Sequence, residues 1–141
     1  MANFKENSKG TETKVYPYNL DLRGFTGEAI CFFLNRYRWI KGDLILVGTD
    51  IETLPDGLFI EGDLYLSGSC IERLPKNLTV CCDLFLVRVY SIHAFPEDLW
   101  VGGDLYVANS SLNGQKLPDS ASIGGRVIDN NYLYNLGGEK S

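Results

Sequence analysis

The sequence contains a single histidine and none of the motifs that mark common catalytic sites. His93 has no serine or cysteine at a fixed spacing to form a nucleophile and base pair, and no glycine-rich phosphate loop or paired His–Glu motif occurs. The adjacent thiols of Cys81 and Cys82 lack the further ligands of a zinc site. We therefore expect no enzyme activity, no metal and no cofactor.

Long apolar runs are also lacking. No stretch approaches the roughly 20 apolar residues that cross a bilayer, and the first residues lack the apolar segment of a secretory signal. Cytoplasmic residence without membrane contact is the expectation. The cysteines fit this compartment as reduced, partly buried thiols, because two of them are adjacent and no pair has the spacing of a disulfide framework: Cys31, Cys70, Cys81 and Cys82.

Basic residues are outnumbered, since thirteen lysines and arginines stand against eighteen aspartates and glutamates, a net charge of −5. This balance disfavours direct binding to nucleic acid or to anionic lipid. A protein partner with a basic or mixed surface is more compatible with it. Hydrophobic residues make up 45% and charged residues 22% of the chain, which indicates a globular protein.

What the sequence does contain is a repeat of 20 to 22 residues, with copies that begin at Trp39, Phe59, Thr79 and Trp100 and a degraded fifth copy from Ser122. Apolar residues recur at the same places in every copy. Two of these columns lie two residues apart, which is the period of a strand with one buried side. The columns are Leu44, Leu64, Leu84, Leu105; Leu46, Leu66, Leu86, Val107; and Ile51, Ile71, Ile92, Leu112.

One copy cannot bury its own leucines, so the copies must stack and pair their short strands in parallel. Because they are contiguous, no crossover helix fits between them. The sequence predicts a mainly β, parallel β-solenoid of about four to five coils with an N-terminal α-helical cap. The predicted boundaries are a disordered tail at 1–12, the cap at 13–38 with its helix at about 27–38, the solenoid at 39–121, the degraded copy and C-terminal cap at 122–136, and a tail at 137–141.

The core of each copy resembles the short leucine-rich repeat of bacterial effector proteins, as in Leu64-x-Leu66-x-x-Ser69-x-Ile71-x-x-Leu74-Pro75. It is also similar to Gly-Asp-Leu-x-Leu and Leu-Pro-x-x-Leu repeat proteins of bacteriophage and prophage genomes. The resemblance covers residues 39 to about 121 and implies a leucine-rich-repeat-like scaffold. By analogy, it also implies a small cytoplasmic phage protein that inhibits a host defence system, such as an anti-CRISPR protein.

One column between the leucines is predicted to point outward, because alternate strand residues face opposite sides of a sheet. This outward column consists of Ile45, Tyr65, Phe85 and Tyr106, and the last strand position beside it consists of Val47, Ser67, Val87 and Ala108. A contiguous apolar patch on the outside typically marks an interaction surface, and in leucine-rich-repeat proteins this strand position supplies ligand contacts. The alternative is that the rings only stack on one another and stabilise the sheet.

Beside the outward column runs an aspartate column, made of Asp43, Asp63, Asp83 and Asp104. Stacked like charges repel, so their recurrence needs a reason. One reason is structural, because an aspartate after glycine can accept hydrogen bonds from backbone amides at the corner. The other is an acidic strip for a basic partner. Its rung spacing of about 4.8 Å is shorter than the spacing of single-strand phosphates, so phosphate mimicry fits poorly.

Two further features break the repeat. The third copy has an extra residue near Arg88 and Tyr90, and together with His93 these form either a specificity insert or a simple adjustment of register. Trp39, Phe59 and Trp100 form another aromatic column, which either extends the outward patch or folds over the corner.

Three functional hypotheses follow. The first is a protein-binding solenoid that uses the outward column, Val47, Val87 and the aspartate column. The second is a carbohydrate or cell-surface binding module in which the aromatic rings stack on sugars. The third is a structural protein that associates with itself, for instance as a homodimer through the exposed apolar column.

Overall fold

Two parallel β-sheets, each with one short strand per coil, form the body of the protein. The computed structural model describes residues 14–132. One sheet has the order β1 (Val15–Tyr16), β3 (Trp39–Ile40), β5 (Phe59–Ile60), β7 (Thr79–Val80), β9 (Trp100–Val101), β11 (Ser122–Ile123). The other has the order β2 (Leu20–Asp21), β4 (Leu44–Ile45), β6 (Leu64–Tyr65), β8 (Leu84–Phe85), β10 (Leu105–Tyr106), β12 (Val127–Ile128). The predicted fold class is confirmed as a mainly β, all-parallel solenoid of about five turns.

The strands pair in the register of the repeat. Leu44 pairs with Leu64, and Tyr65 pairs with Phe85, so each repeat column becomes a row of physical neighbours. In the four repeat copies, parallel pairing needs no crossover helix, because the chain returns to its starting side through an arc that contains a proline. The strands are shorter than the repeat predicts. Only two residues of each Asp-Leu-x-Leu-x segment form a strand, because the chain turns directly after the second leucine.

The core is a single stack of aliphatic side chains enclosed between the two sheets and the arcs. Leu64, Leu66 and Ile71 are fully buried, as are their equivalents Leu84 and Leu86 in the next coil. Leu74, which precedes the corner proline, is 4% exposed. The predicted inward direction of the leucine columns is therefore confirmed.

The N-terminal cap adds one rung and a helix. Strands β1 and β2 extend both sheets by one strand, and Leu20 and Leu22 are buried in the leucine columns. Helix α1 (Gly27–Arg36) lays Ile30 and Leu34 against the core. This side of the helix covers apolar rungs that the first coil would otherwise expose.

Both ends of α1 follow from local chemistry. Thr26 is the N-cap, and its hydroxyl accepts a hydrogen bond from the Ala29 amide at 3.2 Å. The helix ends at Arg36, two residues before the predicted end. Tyr37 already has φ −118° and ψ 84°, because the chain must extend to enter β3.

Two predictions of side-chain exposure are wrong, one for Ala108 and one for two of the cysteines. Ala108 is 2% exposed, although its column was expected to face outward. The amide of the next residue, Asn109, donates to the Asn130 side-chain oxygen at 2.8 Å, which ties this turn to the segment after β12. Cys70 and Cys82 are exposed rather than partly buried, while Cys31 and Cys81 are partly buried, and all four are free thiols.

The C-terminal cap is described in part. Strands β11 and β12 continue both sheets, and residues 130–132 are helical. The rest of the predicted cap at 122–136, and the predicted tails at 1–12 and 137–141, lie outside the described residues.

Candidate functional site

The outward column forms an aromatic ladder on the sheet of even-numbered strands. The Tyr65 and Phe85 rings stack with centroids 4.7 Å apart at an interplanar angle of 1°, and the Phe85 and Tyr106 rings stack at 4.5 Å and 13°. All three side chains are half-buried, directly above the buried leucines that flank them in sequence. Ile45 continues the column by one coil, because its strand pairs in register with that of Tyr65.

The ladder has clear limits along the solenoid axis. At the N-terminal side, Ile45 pairs with the exposed Asp21, whose carboxylate binds the Arg23 guanidinium at 2.6 Å. At the other end, Tyr106 pairs with Ile128, which is 6% exposed. The apolar outward column is therefore four coils long, with a charged boundary at one end.

The neighbouring strand position widens this apolar strip in two coils. Val47 is 39% exposed, and Val87 is half-buried beside Phe85. Ser67 separates them, and its hydroxyl accepts a hydrogen bond from the Val87 amide at 3.2 Å. Because Ala108 is buried, the widening does not extend to the fourth coil.

The aspartate column forms a hydrogen-bond ladder that ties each coil to the next. Oδ1 of Asp43 accepts from the Asp63 amide at 2.7 Å, and Oδ1 of Asp63 accepts from the Asp83 amide at 2.8 Å. The Asp83 carboxylate accepts from the Asp104 amide in the same way, at 2.8 Å. This arrangement corresponds to the predicted corner role, except that each carboxylate serves the following coil. The second carboxylate oxygen of each aspartate remains on the outer side, where Oδ2 of Asp63 accepts from the Tyr65 hydroxyl at 3.1 Å.

Two residues that the repeat pattern did not assign complete this ladder at its ends. Asn19 occupies the aspartate position of the first rung, and its Oδ1 accepts from the Asp43 amide at 2.8 Å. Arg126 occupies the aspartate position of the last rung. Its amide donates to Asp104 Oδ1 at 2.8 Å, and its guanidinium lies 3.9 Å from Asp104 Oδ2. The signal for Asn19 was its place directly before Leu20, which pairs with Leu44, and the signal for Arg126 was its spacing of 22 residues from Asp104.

The carboxylates give the ladder a negative edge. Burial raises the pKa of Tyr65, and the hydrogen bond and charge of Asp63 raise it further. Burial also raises the pKa of Tyr106, with the charge of Asp83 as the next cause. The pKa of the Cys82 thiol at the same corner is also raised, by desolvation first and by the charge of Asp63 second. A cation is therefore favoured along this edge.

The predicted insert does not form one site. Arg88 and Tyr90 line a shallow hollow beside Cys70, and Tyr90 is 71% exposed. His93 is exposed and lines a different groove on the arc side, with Arg73 and Phe95 among its neighbours. The structure thus separates the histidine from the other two residues.

The tryptophan column lies on the other sheet, on the far side of the aspartate corner. Trp39 packs edge-on against Phe59 with centroids 5.5 Å apart, and its indole N–H donates to Glu61 at 2.5 Å. Trp100 is 45% exposed and stands apart, because Thr79 occupies the coil between it and Phe59. The column is therefore interrupted, unlike the outward column.

Comparison of the chain with protein-family models, with curated proteins and with solved structures finds no match. Within residues 14–132, no group of three or more histidine, cysteine or acidic side chains is placed to hold a metal ion. In the same part of the chain, no helix has both the length and the apolar character needed to cross a membrane.

Proposed function

We propose that this chain is a non-enzymatic protein-binding solenoid whose contact surface is the outward column with its acidic edge. The observation that carries the proposal is the stacked ladder of Tyr65, Phe85 and Tyr106, half-buried on the outer side of the sheet. Aromatic rings left at a protein surface in a contiguous strip are typical anchors of protein interfaces. Stacking fixes the rings before a partner arrives, so little side-chain entropy is lost on binding.

The aspartate column supports a basic or mixed partner surface. Each carboxylate uses one oxygen for the next coil, which fixes the position of the other oxygen. Fixed carboxylates beside an apolar strip favour lysine or arginine side chains on the partner, and they disfavour nucleic acid and anionic lipid. The net charge of −5 acts in the same direction.

Sugar binding, the second candidate, fits the ring geometry less well. Sugars pack on the faces of aromatic rings, but both faces of Phe85 are covered, by Tyr65 at 4.7 Å and by Tyr106 at 4.5 Å. The ladder offers ring edges outward. Edges in a flat row suit an apolar protein surface better than a sugar ring.

We further propose, from the resemblance to phage and prophage repeat proteins alone, that the partner is a host protein which this chain inhibits. An anti-defence role in the bacterial cytoplasm, such as that of an anti-CRISPR protein, is the specific form of this proposal. It predicts that the partner belongs to a host defence system and loses activity when bound.

Affinity capture from bacterial lysate tests the proposed face. The combined variant Tyr65→Ser and Phe85→Ser should lose the captured protein, whereas Tyr18→Ser with Phe32→Ser should retain it. The control removes two rings that are 70% and 72% exposed elsewhere on the chain. Circular dichroism melts confirm that each variant is folded.

Equal capture by both variants would remove the outward column from the proposal. Binding of the wild type to a glycan array, with no protein recovered from lysate, would favour the second candidate. Light scattering over a range of concentrations tests the third candidate, self-association. The measured mass of the wild type would then rise with concentration, and the mass of the Tyr65→Ser, Phe85→Ser variant would not.

A further inference from the structure

Arg88 occupies a backbone position where the neighbouring coils use residues that tolerate a left-handed conformation. Its φ is 63°, while Gly48 and Gly68 have φ 69° at the same position and Asn109 has φ 55°. A side chain with a Cβ is strained there, and asparagine is the usual exception to glycine. The third coil therefore carries an arginine at a position that disfavours it.

Packing does not account for this arginine. A Cβ added at Gly48 meets nothing within 4 Å, and one added at Gly68 meets only the Gly48 amide nitrogen at 3.9 Å. Side chains in this column thus point into open space, and Arg88 is exposed. Among residues 14–132, the ion pairs are Asp21–Arg23 and Asp104–Arg126, so Arg88 has no carboxylate partner there.

The loop around Arg88 is nevertheless firmly held. The Val87 carbonyl accepts from the Gly68 amide at 3.0 Å, and Val89 is fully buried. The extra residue of this coil is accommodated next to Ser91, whose hydroxyl donates to the Ile71 carbonyl of the preceding coil at 2.7 Å. Arg88 and the exposed Tyr90 therefore project from an anchored loop, with the residue types that dominate interface hot spots.

Across the third coil, charge changes sign from one edge of the outward face to the other. Asp83 precedes Phe85 by two residues, and Arg88 follows it by three. The ring of Phe85 therefore lies between the two charged residues along the chain, with Asp83 before strand β8 and Arg88 in the turn that follows it. A partner with only basic residues would meet repulsion at the Arg88 edge.

We propose that Arg88, with Tyr90 beside it, is a second contact of the same face and binds an aspartate or glutamate carboxylate of the partner protein. The inference rests on the proposed function and adds an acidic residue to the expected basic and apolar surface. Arginine suits this role because its guanidinium binds a carboxylate through two parallel hydrogen bonds. The pair of opposite charges would set the orientation of the partner across the strands.

Selection from a displayed library of random linear peptides tests this without knowledge of the natural partner. Peptides kept by the wild type and lost by the Tyr65→Ser, Phe85→Ser variant should share apolar and basic positions together with one acidic position. Arg88→Gly should weaken binding of the synthetic consensus peptide at least about tenfold, about 1.4 kcal/mol. The matched control Asn109→Gly changes the same backbone position in the next coil and should leave binding unchanged.

A double-mutant cycle makes the test specific. Replacing the acidic residue of the peptide by its amide should weaken binding to the wild type and have no further effect on Arg88→Gly. Arg88→Gly itself should not lower the melting temperature, since relief of strain opposes the entropy of glycine in the unfolded chain. A consensus that depends on Tyr65 and Phe85 but is indifferent to Arg88 would overturn this inference alone. Absence of any peptide that depends on the two rings would overturn the proposed function as well.

Discussion

The carboxylate of Asp63 accepts a hydrogen bond from the backbone amide of Asp83, with a distance of 2.8 Å from Oδ1 to the nitrogen. The aspartate therefore has two separable properties, an acceptor oxygen for the next coil and a negative charge at the edge of the ladder. An asparagine at this position would keep the acceptor oxygen and remove the negative charge. Asn19 already performs the acceptor role at the first rung, at 2.8 Å from the Asp43 amide.

Asp63→Ala should lower the free energy of unfolding by about 1–3 kcal/mol, because the Asp83 amide loses its acceptor in a partly buried place. Asp63→Asn should leave the stability within about 0.5 kcal/mol of the wild type, since the acceptor remains and repulsion between stacked carboxylates falls. Urea unfolding of the two variants measures the difference. If both lost the same stability, the charge rather than the hydrogen bond would hold the corner.

The stacked rings should stabilise one another pairwise. Tyr65 and Phe85 are in contact with parallel rings, so serine substitutions at these two positions should show a coupling of about 0.5–1.5 kcal/mol in a double-mutant cycle. Tyr65 and Tyr106 have Phe85 between them, and their substitutions should add independently. Additive effects at Tyr65 and Phe85 would mean that the two rings stack without stabilising each other.

The sequence was informative wherever a residue repeats its role in every coil. The inward direction of Leu64 and Leu66 and the stacking of their columns follow from local chemistry that is the same in every coil. The pattern misled at Ala108, which is buried although the equivalent Val47 is exposed. The turn after Ala108 is bonded to Asn130, a residue outside the regular copies, and the repeat pattern does not contain this bond. The two-residue length of the strands was missed, because hydrophobic alternation continues past the point where the backbone turns.

The candidate site also has features that the sequence predicts and features that it does not. The outward direction of Tyr65 and Phe85 was predictable from strand alternation. The stacking of their rings and the use of Asp63 by the next coil depend on side-chain torsions that a repeat pattern does not contain. The left-handed backbone at Arg88 was visible in principle, because Gly48 and Gly68 precede it in its column.

Tyr65 should make the fold sensitive to alkaline pH. Its pKa is raised in the folded protein, by burial first and then by the hydrogen bond and charge of Asp63. The folded state thus holds this proton more tightly than the unfolded state, so the contribution is present below a pH of about 10 and is lost as the pH rises through the folded pKa.

Absorbance titration of tyrosinate measures this directly. Tyr65 and Tyr106 should both titrate late in the wild type, and Tyr65→Phe should remove one of these two late tyrosines. Asp63→Asn should move the late part of the titration toward lower pH. A high salt concentration should shift it in the same direction, because salt screens the Asp43 and Asp83 charges. An unchanged titration curve in Asp63→Asn would contradict the negative edge described for the ladder.

The same negative edge should slow the chemistry of the exposed thiol of Cys82. Although the residue as a whole is exposed, partial desolvation of its sulfur is the first cause that raises its pKa, followed by the charges of Asp63, Cys81 and Asp83. Little of the reactive thiolate is therefore present near neutral pH. Asp83→Asn should lower this pKa and increase the rate of Cys82 alkylation by iodoacetamide. The rate at Cys70, which lies past the turn that follows the ladder strand of its coil, should change less. Peptide mass spectrometry after timed alkylation gives both rates from one sample. A rate at Cys82 that does not respond to Asp83→Asn would show that burial alone suppresses the thiolate, and the aspartate column would then exert no field on the corner beside the ladder.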